Sequence, residues 1–126
     1  MYYLADQREQ AIALVYRNML LDTRGIEVLG IVLGNCVFDA TGKACAKYFK
    51  HVLYDMDGRI LARDGGIVDD LSIDPLTLKD ASWEILEGVT DHSCPVIEPL
   101  TQWSAVAIKE HFRSVPIGAL TTADQV

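Results

Sequence analysis

Five polar side chains in the middle of the chain are spaced so that they could act together: Asn35, Cys45, Lys47, His51 and Arg63. Cys45, Lys47 and His51 recur at i, i+2 and i+4, which puts them on one side of an extended segment. If neighbouring segments pair as hairpins, Asn35 faces Lys47 and His51 faces Arg63. Such a group can hold an anionic or phenolic ligand, with Lys47 and Arg63 supplying charge and Asn35 a directed hydrogen bond. It can also hold a thiolate lowered by nearby cations. The competing reading is a half-wet sheet face, because strand alternation alone generates such a row.

Two other clusters are weaker. Asp91-His92-Ser93-Cys94 collects a carboxylate, an imidazole and a thiol. A cysteine nucleophile needs a base within hydrogen-bond reach, itself held by a third group. Residues adjacent in sequence rarely meet that geometry, so His92 reads as loop surface and His111 as a cation near a helix end. Asp55-Met56-Asp57-Gly58 echoes a calcium loop, but Arg59, Ile60 and Leu61 follow where oxygen ligands belong. Asp69-Asp70 and Asp74 read as a solvated loop and a helix cap. No metal site and no cofactor is expected.

The elements that must position these residues start from two Asp-x-x-Gly turns, Asp39-Ala40-Thr41-Gly42 and Asp55-Met56-Asp57-Gly58. Asp accepts a backbone N–H two residues on, and Gly takes the left-handed position that returns the chain antiparallel. They predict a β-meander over about 26–38, 44–54 and 59–63. Its register puts Gly34 opposite Tyr48, Tyr54 opposite Ile60 and Lys50 opposite Asp64. Leu29, Ile31, Leu33, Phe49, Leu53 and Leu61 then share the face of the polar group. That patch is too apolar to leave in water, which points to a homodimer or higher homo-oligomer.

Asp6-Gln7-Arg8-Glu9 has the form of a capping box, followed by Ile12, Val15, Tyr16 and Met19 at helical spacing. This predicts a helix over about 7–23; its rival is a strand ending at a third turn, Asp22-Thr23-Arg24-Gly25. Asp74-Pro75 starts a second helix that ends near Glu87-Gly88. Residues 99–112 read as a third helix, with a strand as the alternative, and 114–126 as a tail in which Val115-Pro116-Ile117 docks. Gly65-Gly66 opens a loop. No internal repeat is evident beyond the turns. The fold class is therefore α+β: an antiparallel meander with an N-terminal helix and one or two later helices packed on it. The element order of the first half resembles that of cystatin-like cone folds, in which a helix precedes and is wrapped by such a sheet. That resemblance implies a cavity and carries over no residue.

The chain of 126 residues fits one domain, 1–126, and its 50% hydrophobic content supports a packed core. Its net charge of -7, with 18 acids against 11 bases, argues against nucleic acid and against an anionic membrane as partners. The three cysteines, Cys36, Cys45 and Cys94, are odd in number, and the start lacks a signal-peptide pattern. Reduced thiols in a cytoplasm are expected, with Cys36 and Cys45 as small buried hydrophobes.

Three functions follow. The first is a non-catalytic small-molecule-binding or protein-interaction domain acting as a homo-oligomer. The second is a small cone-fold enzyme, a hydrolase or isomerase, in which His51 or an acid is the base; it requires His51 inside an enclosed pocket, and an exposed His51 counts heavily against it. The third is an acidic regulator that binds a basic protein.

Overall fold

The computed structural model describes residues 1–68, 73–90 and 93–113. Its first half is a closed antiparallel barrel of eight strands, each bonded to its sequence neighbours, with the last strand bonded to the first. The strands are β1 Tyr2–Ala5, β2 Ala11–Tyr16, β3 Met19–Leu21, β4 Val28–Leu33, β5 Cys36–Asp39, β6 Ala44–Phe49, β7 Val52–Asp55 and β8 Ile60–Ile67. Two helices follow, α1 Pro75–Gly88 and α2 Ile108–Arg113. The α+β expectation is thus overturned. The predicted N-terminal helix over 7–23 is the β2–β3 hairpin, and the cone-fold likeness goes with it.

The physical reason is that an N-cap and a tight turn use the same arms. The Asp6 carboxylate accepts from the Arg8 and Gln10 amides, both at 2.9 Å, and the Asp6 amide donates to the Gln10 carbonyl. This is a hairpin loop, not a helix start; short polar side chains offer either one. The Asp39 and Asp55 turns form as expected. The Asp39 carboxylate accepts from Thr41 and Lys43, and that of Asp55 from Asp57 and Arg59. Gly42 and Gly58 take φ of 83° and 90°. Asp22 builds the fourth such loop, accepting from Ile26 and Glu27. Burial raises the Asp22 carboxyl, but those two amides and Arg24 outweigh it and hold its pKa below the usual aspartate value.

Asp6, Asp22, Asp39 and Asp55 are therefore equivalent positions, 16 or 17 residues apart. The barrel is four copies of one hairpin unit, a repeat hidden in the sequence because the first of its turns, Asp6-Gln7-Arg8-Glu9, lacks the glycine and shares its form with a helix cap. Glu9 stands where Gly25, Gly42 and Gly58 stand in the other units, and it holds φ of 64°. A left-handed conformation costs a non-glycine residue about 1–2 kcal/mol. Glu9→Gly is expected to raise stability by about 1 kcal/mol in urea denaturation, after the extra unfolded-state entropy of glycine is subtracted. No gain would mean that the Asp6 loop does not hold this geometry in solution.

Each unit also carries a β-bulge at the same place. The pairing shifts between Leu4 and Ala5, Leu20 and Leu21, Val37 and Phe38, and Leu53 and Tyr54. The extra residues opposite these steps are Ile12, Leu29, Cys45 and Leu61. A bulge breaks the period of two. Ile12, Ala13 and Val15 accordingly all join the core inside the barrel, which mimics helical spacing. That core has a layer of Leu4, Leu20, Val37 and Leu53, one from each unit, and a layer of small residues, Ala13, Gly30, Ala46 and Ala62.

The predicted strands 26–38 and 44–54 are each a hairpin, folded at Gly34-Asn35 and at Lys50-His51. Gly34 has φ of 64°, and Lys50 and His51 have 51° and 66°. Tyr54 does face Ile60, but Leu53 faces Tyr48 and Val52 faces Arg63. Gly65, Gly66 and Ile67 extend β8 instead of forming a loop.

Described segments that follow the barrel clad part of its outer wall. Asp74 caps α1 at the amides of Leu76 and Thr77, and Pro75 takes the first turn, as the sequence predicted. Leu78 packs on Leu14, Met19 and Leu21, while Ile85 and Val89 pack on Ile31, Cys36 and Phe38. Cys94 then bonds to Cys36 as a disulfide, so two of the three expected free thiols are joined. Farther on, Ile60 and Trp103 form a parallel bridge, with the Ile60 amide donating to Gln102 at 2.8 Å. Only Ile108–Arg113 of the predicted third helix is helical. Asp69-Asp70, His92 and the tail 114–126 lie outside the described residues. No helix among the described residues is long and apolar enough to cross a membrane.

Candidate functional site

The four Asp loops sit at one end of the barrel and the short Arg17-Asn18, Gly34-Asn35 and Lys50-His51 turns at the other. At the Asp-loop end, α2 reaches into the barrel: Ile108 and Phe112 belong to its internal core, each 3% exposed. His111 on the same helix donates from Nε2 to the Cys45 carbonyl at 2.7 Å. That carbonyl belongs to the extra residue of a bulge, so the irregular strand and the helix that meets it satisfy one another.

Beside α2 lies an open cleft of about 790 Å³. The first Asp loop contributes Asp6, Gln7 and Arg8, the second contributes Thr23, and bulge residues Ile12 and Leu61 form the floor. The returning segment from Trp103 to Ile108 makes the far wall. The Ser104 hydroxyl accepts from the Val106 amide at 3.1 Å, which fixes that wall's turn. Trp103 also stacks under the Arg63 guanidinium, 5.4 Å from the ring centre. The cleft thus combines an apolar floor with hydroxyl, amide and guanidinium groups at its rim, the composition of a small-molecule site.

The five residues singled out from the sequence do not form one group. Asn35 and Lys47 do meet, with Phe49 and Tyr54, in a shallow pocket of about 210 Å³ on the outer wall. Cys45 is turned inward by its bulge. Burial, and then the Asp39 charge, push its thiol up to about 12. The proposed thiolate is therefore excluded at neutral pH. Arg63 lies against Trp103, two strands farther round the barrel on β8. His51 sits at the short-turn end, where its Nδ1 is 3.3 Å from Asp64 Oδ2 and 3.5 Å from the Tyr48 hydroxyl. Burial raises the Tyr48 phenol, helped by the charge of Asp64. The His51 side chain is 60% exposed, the condition that counts against a cavity base.

The apolar interface patch is not a surface either. Leu53 and Leu61 are inside the barrel, Ile31 lies beneath α1, Leu29 and Leu33 are half-buried, and only Phe49 is exposed. Sequence reasoning missed Ile12, Thr23, Trp103 and Ile108. The spacing from Asp6 to Asp22 to Asp39 was the one available signal, since it puts the loops of Arg8 and Thr23 at the same end.

Comparison with protein-family models, with curated proteins and with solved structures gives no match for this chain.

The Cys45 thiol offers a direct check on this end of the barrel. At pH 8 a thiol at about 12 is ionised about a thousandfold less than one at the usual 9.0. Labelling of native Cys45 by a disulfide reagent is expected to be slower than in urea by about thirtyfold or more, since the greater nucleophilicity of a more basic thiolate offsets part of that factor. Equal rates would show that α2 does not cover it.

Proposed function

We propose that this protein is a non-catalytic binding domain whose ligand is a small molecule with an apolar body and a polar or anionic head. The single observation that carries this reading is the cleft of about 790 Å³ at the Asp-loop end. Its volume falls in the range of drug-sized ligand sites. Ile12 and Leu61 would receive the body, and the Thr23 hydroxyl and the Arg8 guanidinium would meet the head. The homo-oligomer expectation loses its apolar patch and is not needed by this site. The Cys36–Cys94 bond favours an oxidising compartment over the cytoplasm suggested by the odd cysteine count.

The test uses 1-anilinonaphthalene-8-sulfonate, an apolar body with an anionic head, on a Trp83→Phe background in which Trp103 is the sole indole. Saturable quenching of Trp103 is expected. Ala107→Trp, which fills the cleft from an exposed position, is expected to weaken binding at least tenfold, or ~1.4 kcal/mol. Absence of saturable quenching, or indifference to Ala107→Trp, overturns the reading.

A further inference from the structure

We propose that the inside of the barrel at the Asp-loop end is itself a binding site, built for an uncharged aromatic group, and that Phe112 is its resident occupant. This rests on the cleft reading above and extends it inward.

Four observations converge. The first is room made by sequence: Ala13, Gly30, Ala46 and Ala62 occupy the same place in all four hairpin units, so the internal wall is pared back at one level. Large aliphatic residues fill the next layer. The second is the identity of the occupant. A methyl group added at Gly30 would overlap the Phe38 carbonyl and lie 3.5 Å from the Phe112 ring, so that ring packs beside Gly30 in the shared core of Ala13, Ala46 and Ala62. The third is the shortness of α2. It is a helix of six residues that commits Ile108 and Phe112 to the core, with the His111 ring bonded to the Cys45 carbonyl at 2.7 Å. The fourth is access. Open clefts of about 790 Å³ and about 760 Å³ flank α2 on its two sides. Ile12, Leu61 and Ile108 belong both to the first cleft and to the internal core, so the cleft floor is the rim of the inner site.

A ligand of matching shape exchanges one buried ring for another. The hydrophobic gain on its entry offsets the loss from expelling Phe112, so the net affinity reports the difference between the two. An uncharged ring is specified because the described residues of this layer, Ala13, Gly30, Ala46 and Ala62, carry no charge. Small apolar cavities lined in this way stay dry and accept aromatic guests.

The experiment follows N-phenyl-1-naphthylamine, an uncharged aromatic probe, into the wild-type chain and into Phe112→Ala and His111→Ala. Phe112→Ala is expected to tighten binding about tenfold or more by removing the competitor. His111→Ala keeps the Phe112 ring but loses the bond to Cys45; it serves if Phe112→Ala fails to fold, and is expected to tighten binding about threefold. Hydrogen exchange on the wild type supplies the second readout: the amides of residues 108–113 should exchange faster with probe bound, while those of β2 and β6 slow. Unchanged affinity in both variants, or slower exchange in 108–113, overturns the inner site. If binding is then still weakened by Ala107→Trp, the cleft reading stands alone. If binding tightens in the variants but ignores Ala107→Trp, the inner site stands and the cleft reading falls.

Discussion

Replacing Cys36 and Cys94 together by alanine is expected to cost about 4 kcal/mol of stability, the loop-closure term for a sequence separation of 58. For a chain of 126 residues this lowers Tm by roughly 15 °C. The effect is large because of where the bond sits. Cys36 lies on the outer wall of β5 under α1, and Cys94 opens the segment that crosses the barrel to Trp103. Without the bond, the unfolded chain regains the freedom of everything between them, while the barrel keeps its own ladder. A dithiol reductant should reproduce the shift in the wild type and leave the double variant unmoved. A reductant-insensitive Tm in the wild type would show that the two sulfurs are not bonded.

The second large effect concerns Gly58. A Cβ at this position would overlap the carbonyl oxygen of Glu98, and φ is 90°. The backbone on both sides is committed: the Gly58 amide donates to Asp55, and its carbonyl accepts from Leu100 at 2.9 Å. The turn cannot give way without breaking one of these hydrogen bonds. Gly58→Ala is expected to cost at least about 3 kcal/mol, from the left-handed penalty and the displaced Glu98 segment together. Gly34→Ala is the control. It has φ of 64° but nothing within 4 Å of the new methyl group, so about 1 kcal/mol is expected. Urea midpoints measure the difference, and Trp103 fluorescence should shift in the Gly58 variant alone. Equal costs would remove the Glu98 contact from the account.

Local chemistry was legible in the sequence where one residue decides one bond. The Asp39 and Asp55 turns, the Tyr54–Ile60 pairing and the Asp74-Pro75 helix start all depend on neighbours in the chain. Asp6 misled because its carboxylate serves a loop as readily as a helix cap, and Glu9 hid the glycine position. The four bulges did more damage. Each inserts one residue on the barrel side, so Cys45 faces inward instead of joining Lys47, while the tight turn at Lys50-His51 takes His51 off the strand that carries Lys47. Leu29, Leu53 and Leu61 looked like an exposed patch for the same reason: a flat meander has a second face, whereas a closed barrel turns that face into its interior. The cleft was illegible because Trp103 and Ile108 reach it from more than forty residues downstream of β8's start, a return that no local pattern encodes.

Seven of the eight strand pairings join consecutive strands, and the pairing of β1 with β8 is the lone exception. Assembly can therefore proceed hairpin by hairpin with short loops, and most of the entropy of ring closure falls on one late event that brings Tyr2 to Ile67. A seam that closes last would show it in the rates: substitutions along it are expected to hasten unfolding more than they slow folding, as stopped-flow kinetics would measure. A ring with a single late seam has one natural place to breathe.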